Sequence, residues 1–497
     1  MEYKRLWVAL GTVMVVSFAV LGYFGRELYR QAPPIPARVV TVTGEVIFTG
    51  QDISDGQNVW QSMGGQELGS VWGHGAYVAP DWSADWLHRE ATWLLDHWAR
   101  ADFGSDYSSL EGEAQAALRE RLKRELRTNT YDPESGDLVI SETRAEAIRE
   151  VGAHYTKLFG DDPALDELRD AYAIPANTLK TAERKEKLTG FFFWVSWVCG
   201  TNRPGSDITY TNNWPAENLI DNRPTGAIVV WSVISFVVLL AGIGTLALYF
   251  AVQRRKEEAP HDVPALDPML GISPTPSMRA TLKYFWVVTA LMVFQIGLGA
   301  ITAHYGVEGS SFYGIPLAKW LPYAVTRTWH SQLGIFWIAT AWLATGLFMA
   351  PAVTGHEPKL QRLGVNVLWV CLLVIVVGSM AGEWFGVQQR LGMVANFWFG
   401  HQGYEYVDLG RFWQIFLFVG LLLWAGLMIR AMLPAIRKPG ENRSLLVLFL
   451  ISCVAIALFY GAGLMWGRQT NLAIAEYWRC GWCIFGSKDS SRYLPRW

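Results

Sequence analysis

A chain of 497 residues that is 51% hydrophobic and carries 25 Trp, only 17% charged residues and a net charge of -2 is too apolar and aromatic for an ordinary soluble protein. Near-neutrality without a basic block gives no reason to expect nucleic acid as a partner. The five cysteines, Cys199, Cys371, Cys453, Cys480 and Cys483, imply no disulfide framework, and the second and third lie in apolar runs where packing explains them.

About 20 apolar residues cross a bilayer's hydrocarbon core as a helix, and uninterrupted uncharged stretches mark where they do. Seven such stretches are predicted, at roughly 6–25, 226–252, 284–303, 329–353, 363–382, 412–429 and 445–466. The first shows no clear small-residue cleavage site and fits an anchor better than a signal peptide. Residues 26–225 then form a domain. The charge-laced stretch LEGEAQAALRERLKREL and many turn signals predict a mostly helical globular unit there. The remaining spans and loops run from 226 to 479, followed by an aberrant tail, 480–497.

Positive charge in short loops sets orientation. Lys4 and Arg5, Arg254 to Lys256, Lys359 with Arg362, and Arg430, Arg437, Lys438 with Arg443 all fall on one side, which is read as cytoplasmic. The 26–225 domain and the loop ends near Glu308, His330, Glu405 and Arg468 are therefore expected outside, on a multi-pass cytoplasmic-membrane protein.

Several residues could carry chemistry. The segment GQNVWQSMGGQELGSVWGHGAYVAPDWSADW has no Cys-x-x-Cys-His, and neither has the rest of the chain, so no c-type haem is expected. His304 and Glu308, in AITAHYGVEG, lie four apart where the third span leaves the membrane. On a continuing helix they share a face, where they could hydrogen-bond a quinol's hydroxyls and take its protons; a solvated helix end reads the same way. His330, in RTWHSQLGIFWIATAWLATG, is an ionisable group at the mouth of a span. It is either an axial haem ligand or a hydrogen-bonded interfacial histidine. Glu405, in the aromatic and acidic loop NFWFGHQGYEYVDLGRFWQ, is either an oxygen ligand for calcium or a hydrated carboxylate.

The stretches GHGAYVAPDW, FFFWVSW, RPGSDITYTNNWP, RTWHSQLGIFWIATAWL and NFWFGHQGYEYVDLGRFWQ together resemble the quinol-dependent nitric oxide reductases of the haem-copper oxidase superfamily, up to about Arg479. The resemblance implies a mainly α membrane bundle of the haem-copper oxidase type and an extracytoplasmic cytochrome c-like domain without haem. In cytochrome-fed relatives a Cys-x-x-Cys-His precedes a Gly-Glu-Gly-Ala-Tyr run. Here that window reads Gly65, Gln66, Glu67, Leu68, Gly69, ahead of Gly73, His74, Gly75, Ala76 and Tyr77. By resemblance, His330 matches an axial ligand of the low-spin haem b, Glu405 with oxygens of Gly75 and Tyr77 matches a calcium site, and His304 with Glu308 matches the quinol-facing pair. The reaction implied is reduction of NO to N2O and water at a haem b facing a non-haem iron. Electrons come from membrane quinol without cytochrome c. The implied partners are quinol, NO and the lipid bilayer, and a homodimer is left open.

The tail departs from the family. After EYWR the relatives continue with a helix close to WWVVHLWVEGFFEVFATV, whose His and Glu bind the non-haem iron; here the chain reads CGWCIFGSKDSSRYLPRW. A permitted set of codons for this tail, read two bases later, encodes WVVHLWVEGFFEVFATV. A frameshift just after Arg479 is therefore expected, leaving Cys480 and Cys483 without a metal or redox role. On this reading the chain lacks the C-terminal catalytic half, retains no catalytic metal ligand, and is inactive. The alternatives are an oxygen-reducing oxidase and a non-catalytic membrane-anchored scaffold.

Overall fold

A computed structural model describes residues 4–74, 78–256, 267–310, 313–404, 408–438 and 443–480. The calcium residues expected from resemblance, Gly75, Tyr77 and Glu405, and residues 481–497 of the expected frameshifted tail lie outside the described residues.

The chain begins with α1 (Lys4–Gln31), then β1 (Arg38–Thr41), β2 (Val46–Thr49) and α2 (Gly50–Ser62). Next come α3 (Trp82–Phe103), α4 (Gly112–Arg127), β3 (Asp137–Ile140), α5 (Glu142–Leu158), α6 (Asp166–Ala171) and α7 (Ala182–Gly200). The second half is helical: α8 (Gly226–Lys256), α9 (Pro276–Ala280), α10 (Leu282–Glu308), α11 (Tyr323–Thr354), α12 (Gln361–Val387), α13 (Met393–Phe399), α14 (Arg411–Arg437), α15 (Arg443–Ala462) and α16 (Leu472–Cys480).

Seven of these helices, α1, α8, α10, α11, α12, α14 and α15, are long and apolar enough to cross a membrane, which makes this a mainly α, multi-pass bundle. Their termini reach further than uncharged runs suggest. Helix α12 continues through Glu383 to Val387, and α10 runs on past His304 to Glu308. A helix does not stop at a charge when that charge can be buried or can reach the interface.

Between α1 and α8 sits the soluble domain, helical as expected from its charge-laced stretch, which forms α4. It also has a small sheet of order β2-β1-β3, antiparallel for β1 with β2 and parallel for β1 with β3. Its helix starts are capped: Thr49 and Asp52 form a reciprocal capping box on α2, and Asp81 accepts from the Ala84 amide at the start of α3. The run FFFWVSW in α7 is buried along its length. There Trp82 stacks on Phe192 with ring centroids 5.3 Å apart, and Trp86 lies nearly parallel to Tyr155, also at 5.3 Å. Each such side chain contributes roughly 1.5–3 kcal/mol of burial. Close crossing needs a glycine: a Cβ on Gly56 of α2 would come within 2.0 Å of the Lys187 carbonyl oxygen on α7.

The soluble domain's core does not end at the bundle. Ala324 and Val325 of α11, Val387 of α12, and Leu472, Ala473 and Ala475 of α16 belong to the same buried cluster as Trp60 and Phe191. The soluble domain and the adjoining ends of the spans are thus packed as one body, and the candidate functional residues lie along this seam.

Candidate functional site

His330 lies two turns into α11, facing α10. Its Nδ1 is 2.9 Å from the Gln295 main-chain oxygen, and since a carbonyl can only accept, Nδ1 carries the proton. Nε2 therefore keeps its lone pair, and it has no hydrogen-bond partner among the described residues. Glycine makes room for this ring: a Cβ on Gly299 would stand 2.8 Å from the imidazole Cε1. The Gln295 side chain is fixed in turn, accepting from Trp337 Nε1 at 2.8 Å. A half-buried imidazole with one nitrogen anchored to a backbone carbonyl and the other free is the arrangement a metal-ligating histidine needs.

His401, which sequence reasoning passed over, contrasts with it. Its Nδ1 accepts from the Gly403 amide at 2.9 Å and its Nε2 is 2.8 Å from Thr328 Oγ1, so both nitrogens are engaged by protein. It is fully buried 3.5 Å from Asp408, which is itself fully buried. Burial holds the imidazole neutral by lowering its pKa and raises that of the Asp408 carboxyl. His401 is a structural histidine. Nearby Glu383 is completely buried on α12. Its only sequence signal is a lone charge inside GSMAGEWFGV.

His304 and Glu308 are brought together, one helical turn apart. Nδ1 lies 3.5 Å from Glu308 Oε1, and each side chain is 30% exposed, enough to meet a ligand. Glu308 Oε2 accepts from the Tyr313 amide at 3.1 Å, and the Tyr313 ring meets the His304 ring edge-on at 5.2 Å.

The window around Glu67, notable in the sequence for the haem-attaching residues it lacks, has a structural role that sequence reasoning missed. Glu67 is fully buried and forms an ion pair with Arg327, three residues before His330 on α11. Beside it the backbone of the window meets the 400–404 loop. Gly65 and Gly403 both have positive φ, +51° and +74°, and a Cβ on Gly65 would sit 2.3 Å from the Gly403 Cα. The Gln66 amide donates to the Gly403 carbonyl at 3.0 Å. Gln66 Nε2 and His74 Nε2 reach Glu476 Oε1 at 2.8 and 3.1 Å. The Arg479 guanidinium lies 3.7 Å above the Tyr404 ring. The segments flanking Gly75, Tyr77 and Glu405 are thereby brought to one place. Among the described residues no group of three or more His, Cys, Asp and Glu side chains is placed to hold a metal ion.

Residues 36–216 match the family model of the cytochrome c-like domain of nitric oxide reductase, and residues 279–482 match that of cytochrome c and quinol oxidase polypeptide I. No curated protein matches the chain. The second match corrects the expectation that the catalytic half is lost and the chain inactive. It runs past Arg479 and takes in almost the whole C-terminal region, which argues against a lost catalytic half. Haem and iron are the cofactors expected of this family pairing. The chain is a two-domain membrane oxidoreductase of the haem-copper oxidase superfamily, with a nitric oxide reductase-type cytochrome c-like domain joined to an oxidase polypeptide I-type bundle.

Proposed function

We propose that this protein is a quinol-dependent nitric oxide reductase of the cytoplasmic membrane, with its soluble domain on the extracytoplasmic side. The observation that carries this reading is the pairing of a nitric oxide reductase-type cytochrome c-like domain, without a Cys-x-x-Cys-His, with an oxidase-type bundle that presents His304 and Glu308 at its domain-facing end. A haemless domain has no covalent haem through which a cytochrome could deliver electrons. A histidine and a carboxylate one turn apart suit the two hydroxyls of a quinol.

In this reading Glu308 accepts a hydrogen bond, and then a proton, from one hydroxyl, while His304 orients the other. His330 would hold the low-spin haem b through Nε2, its tautomer fixed by the Gln295 carbonyl. Haem b, when bound, supplies one-electron transfer. The balance is two NO, two electrons and two protons to one N2O and one water, and quinol oxidation supplies both electrons and both protons. Calcium held by Glu405 with oxygens of Gly75 and Tyr77 is proposed on the resemblance, supported by the contact between their flanking segments; elemental analysis of the purified protein tests it.

The test is turnover by the purified full chain in lipid nanodiscs, supplied with quinol and either NO or O2. N2O formation from NO is expected. Quinol-driven O2 consumption without N2O would place the protein with the oxygen-reducing oxidases. The frameshift after Arg479 is a separate proposal about the DNA, tested by sequencing the codons for Glu476 to Trp497. Codons that do not yield WVVHLWVEGFFEVFATV when shifted by two bases discard it.

A further inference from the structure

The soluble domain reaches the turn that follows Glu308 through a short helix. Helix α6 is held in place by Arg169, a buried guanidinium that donates to the Lys157 and Asp162 carbonyls at 3.2 and 2.6 Å and pairs with Asp166. The next residue, Asp170, reaches across to the turn that ends α10. Its Oδ1 accepts the Ser310 amide at 2.8 Å. Its other oxygen lies against Gly309, where φ is +68° and a Cβ would come within 2.6 Å of Oδ2. Three residues on, Ala173 is fully buried in a small apolar cluster with Tyr305, Ala318 and Tyr323. The Ala318 amide closes the loop by donating to the Ser310 carbonyl at 3.3 Å. A cavity of about 510 Å3 lies along this junction, lined by Arg169, Asp170, Pro175, Ser310, Pro316 and Lys319, among others.

The turn held by Asp170 directly follows the helix end that carries both groups of the pair. Glu308 immediately precedes Gly309, and Tyr313 lies beside the pair, its amide bound to Glu308 and its ring against His304. Moving Ser310 by a fraction of an ångström would move the Glu308 carboxylate against His304. We infer that Asp170, a residue of the soluble domain, is a positioning residue that sets the geometry of His304 and Glu308 and hence the affinity for a quinol headgroup. This gives the soluble domain a use, since it braces the quinol site from outside the membrane. The inference rests on the quinol reading of the pair.

Four variants separate the two ideas. Asp170→Ala removes the acceptor, Asp170→Asn keeps a neutral oxygen for the Ser310 amide, Gly309→Ala pushes the carboxylate away, and His304→Ala alters the pair itself. Binding of a redox-inert quinol analogue, a hydroxyquinoline N-oxide, is measured on the full chain in nanodiscs, with amide hydrogen exchange over residues 305–319. Asp170→Ala is expected to weaken analogue binding roughly tenfold and to accelerate exchange in that segment, while Asp170→Asn restores most of both. Gly309→Ala should act like Asp170→Ala. An Asp170→Ala protein that binds the analogue as the unaltered chain does, whatever its exchange, overturns the positioning role. If the unaltered chain shows no saturable binding, or His304→Ala binds equally well, the quinol reading falls and this inference with it.

Discussion

The His330 imidazole stands directly over Gly299, with its Nδ1 proton given to the Gln295 carbonyl one turn earlier on the same neighbouring helix. Ring position and tautomer are therefore both set by α10, while the residue itself belongs to α11. Gly299→Ala places a methyl 2.8 Å from Cε1 and must push the ring off its seat. The expected outcome is a fall in haem b per protein of severalfold, read from the reduced-minus-oxidised spectrum, with folding retained. His330→Ala should abolish the low-spin signal. An unchanged spectrum in both variants would remove His330 from the haem.

The Glu67 and Arg327 pair joins the soluble domain to the bundle with both side chains almost dry, at 0% and 8% side-chain exposure. A buried pair is costly to break from one side, because the remaining charge is left in a medium that cannot solvate it. Arg327→Met should destabilise the protein by about 3–5 kcal/mol, and the double variant Glu67→Gln with Arg327→Met should recover a large part of that loss. Denaturant unfolding of the detergent-solubilised chain, followed by Trp fluorescence, checks this. Additive losses would mean that the pair is not coupled.

The spans were legible because composition alone reports them: a charge facing lipid is costly, and seven uncharged runs stand out. His304 and Glu308 were legible too, since a four-residue spacing on a helix is a local property. The contacts that give these residues their geometry were not. Gln295 to His330, Glu67 to Arg327, and Asp170 to Ser310 join segments far apart in the chain, and their pairing depends on how helices cross. Glu383 was missed for a related reason. An expected span end at residue 382 treated the charge as a boundary, whereas the helix buries it. The expected loss of the catalytic half came from the tail's departure from the relatives' iron-binding helix, whereas the oxidase-type match runs on to residue 482.

His154, on α5 of the soluble domain, offers a test of stability against pH. Burial first, then the nearby positive charge of Arg89, pushes its pKa from 6.5 down to about 4. Its Nε2 is buried without a hydrogen bond among the described residues. The folded state thus holds this imidazole neutral while the unfolded chain protonates it. The associated stability is fully present above pH 6.5 and is lost as pH falls towards 4. The ring is only half-buried, so the effect is discounted to on the order of 1 kcal/mol. Unfolding midpoints should fall between pH 7 and pH 5, and His154→Gln should reduce that slope. An equal slope in both proteins would assign the acid sensitivity elsewhere.

Glu308 and His304 make a sharper functional prediction, because they are partly exposed and connected to each other before any ligand arrives. Glu308→Gln preserves the acceptor for the Tyr313 amide, so the turn should keep its shape. It removes the proton acceptor, so quinol-driven turnover should fall at least tenfold while electron entry from a small artificial reductant is spared. His304→Ala takes away both the imidazole and its edge contact with Tyr313, and should raise the quinol KM more than it lowers kcat. The comparison discriminates between roles: a proton acceptor acts chiefly on kcat, an orienting group chiefly on KM. If both variants oxidise quinol with unaltered constants, the pair is only a hydrated helix end, and electrons must enter the bundle at another face.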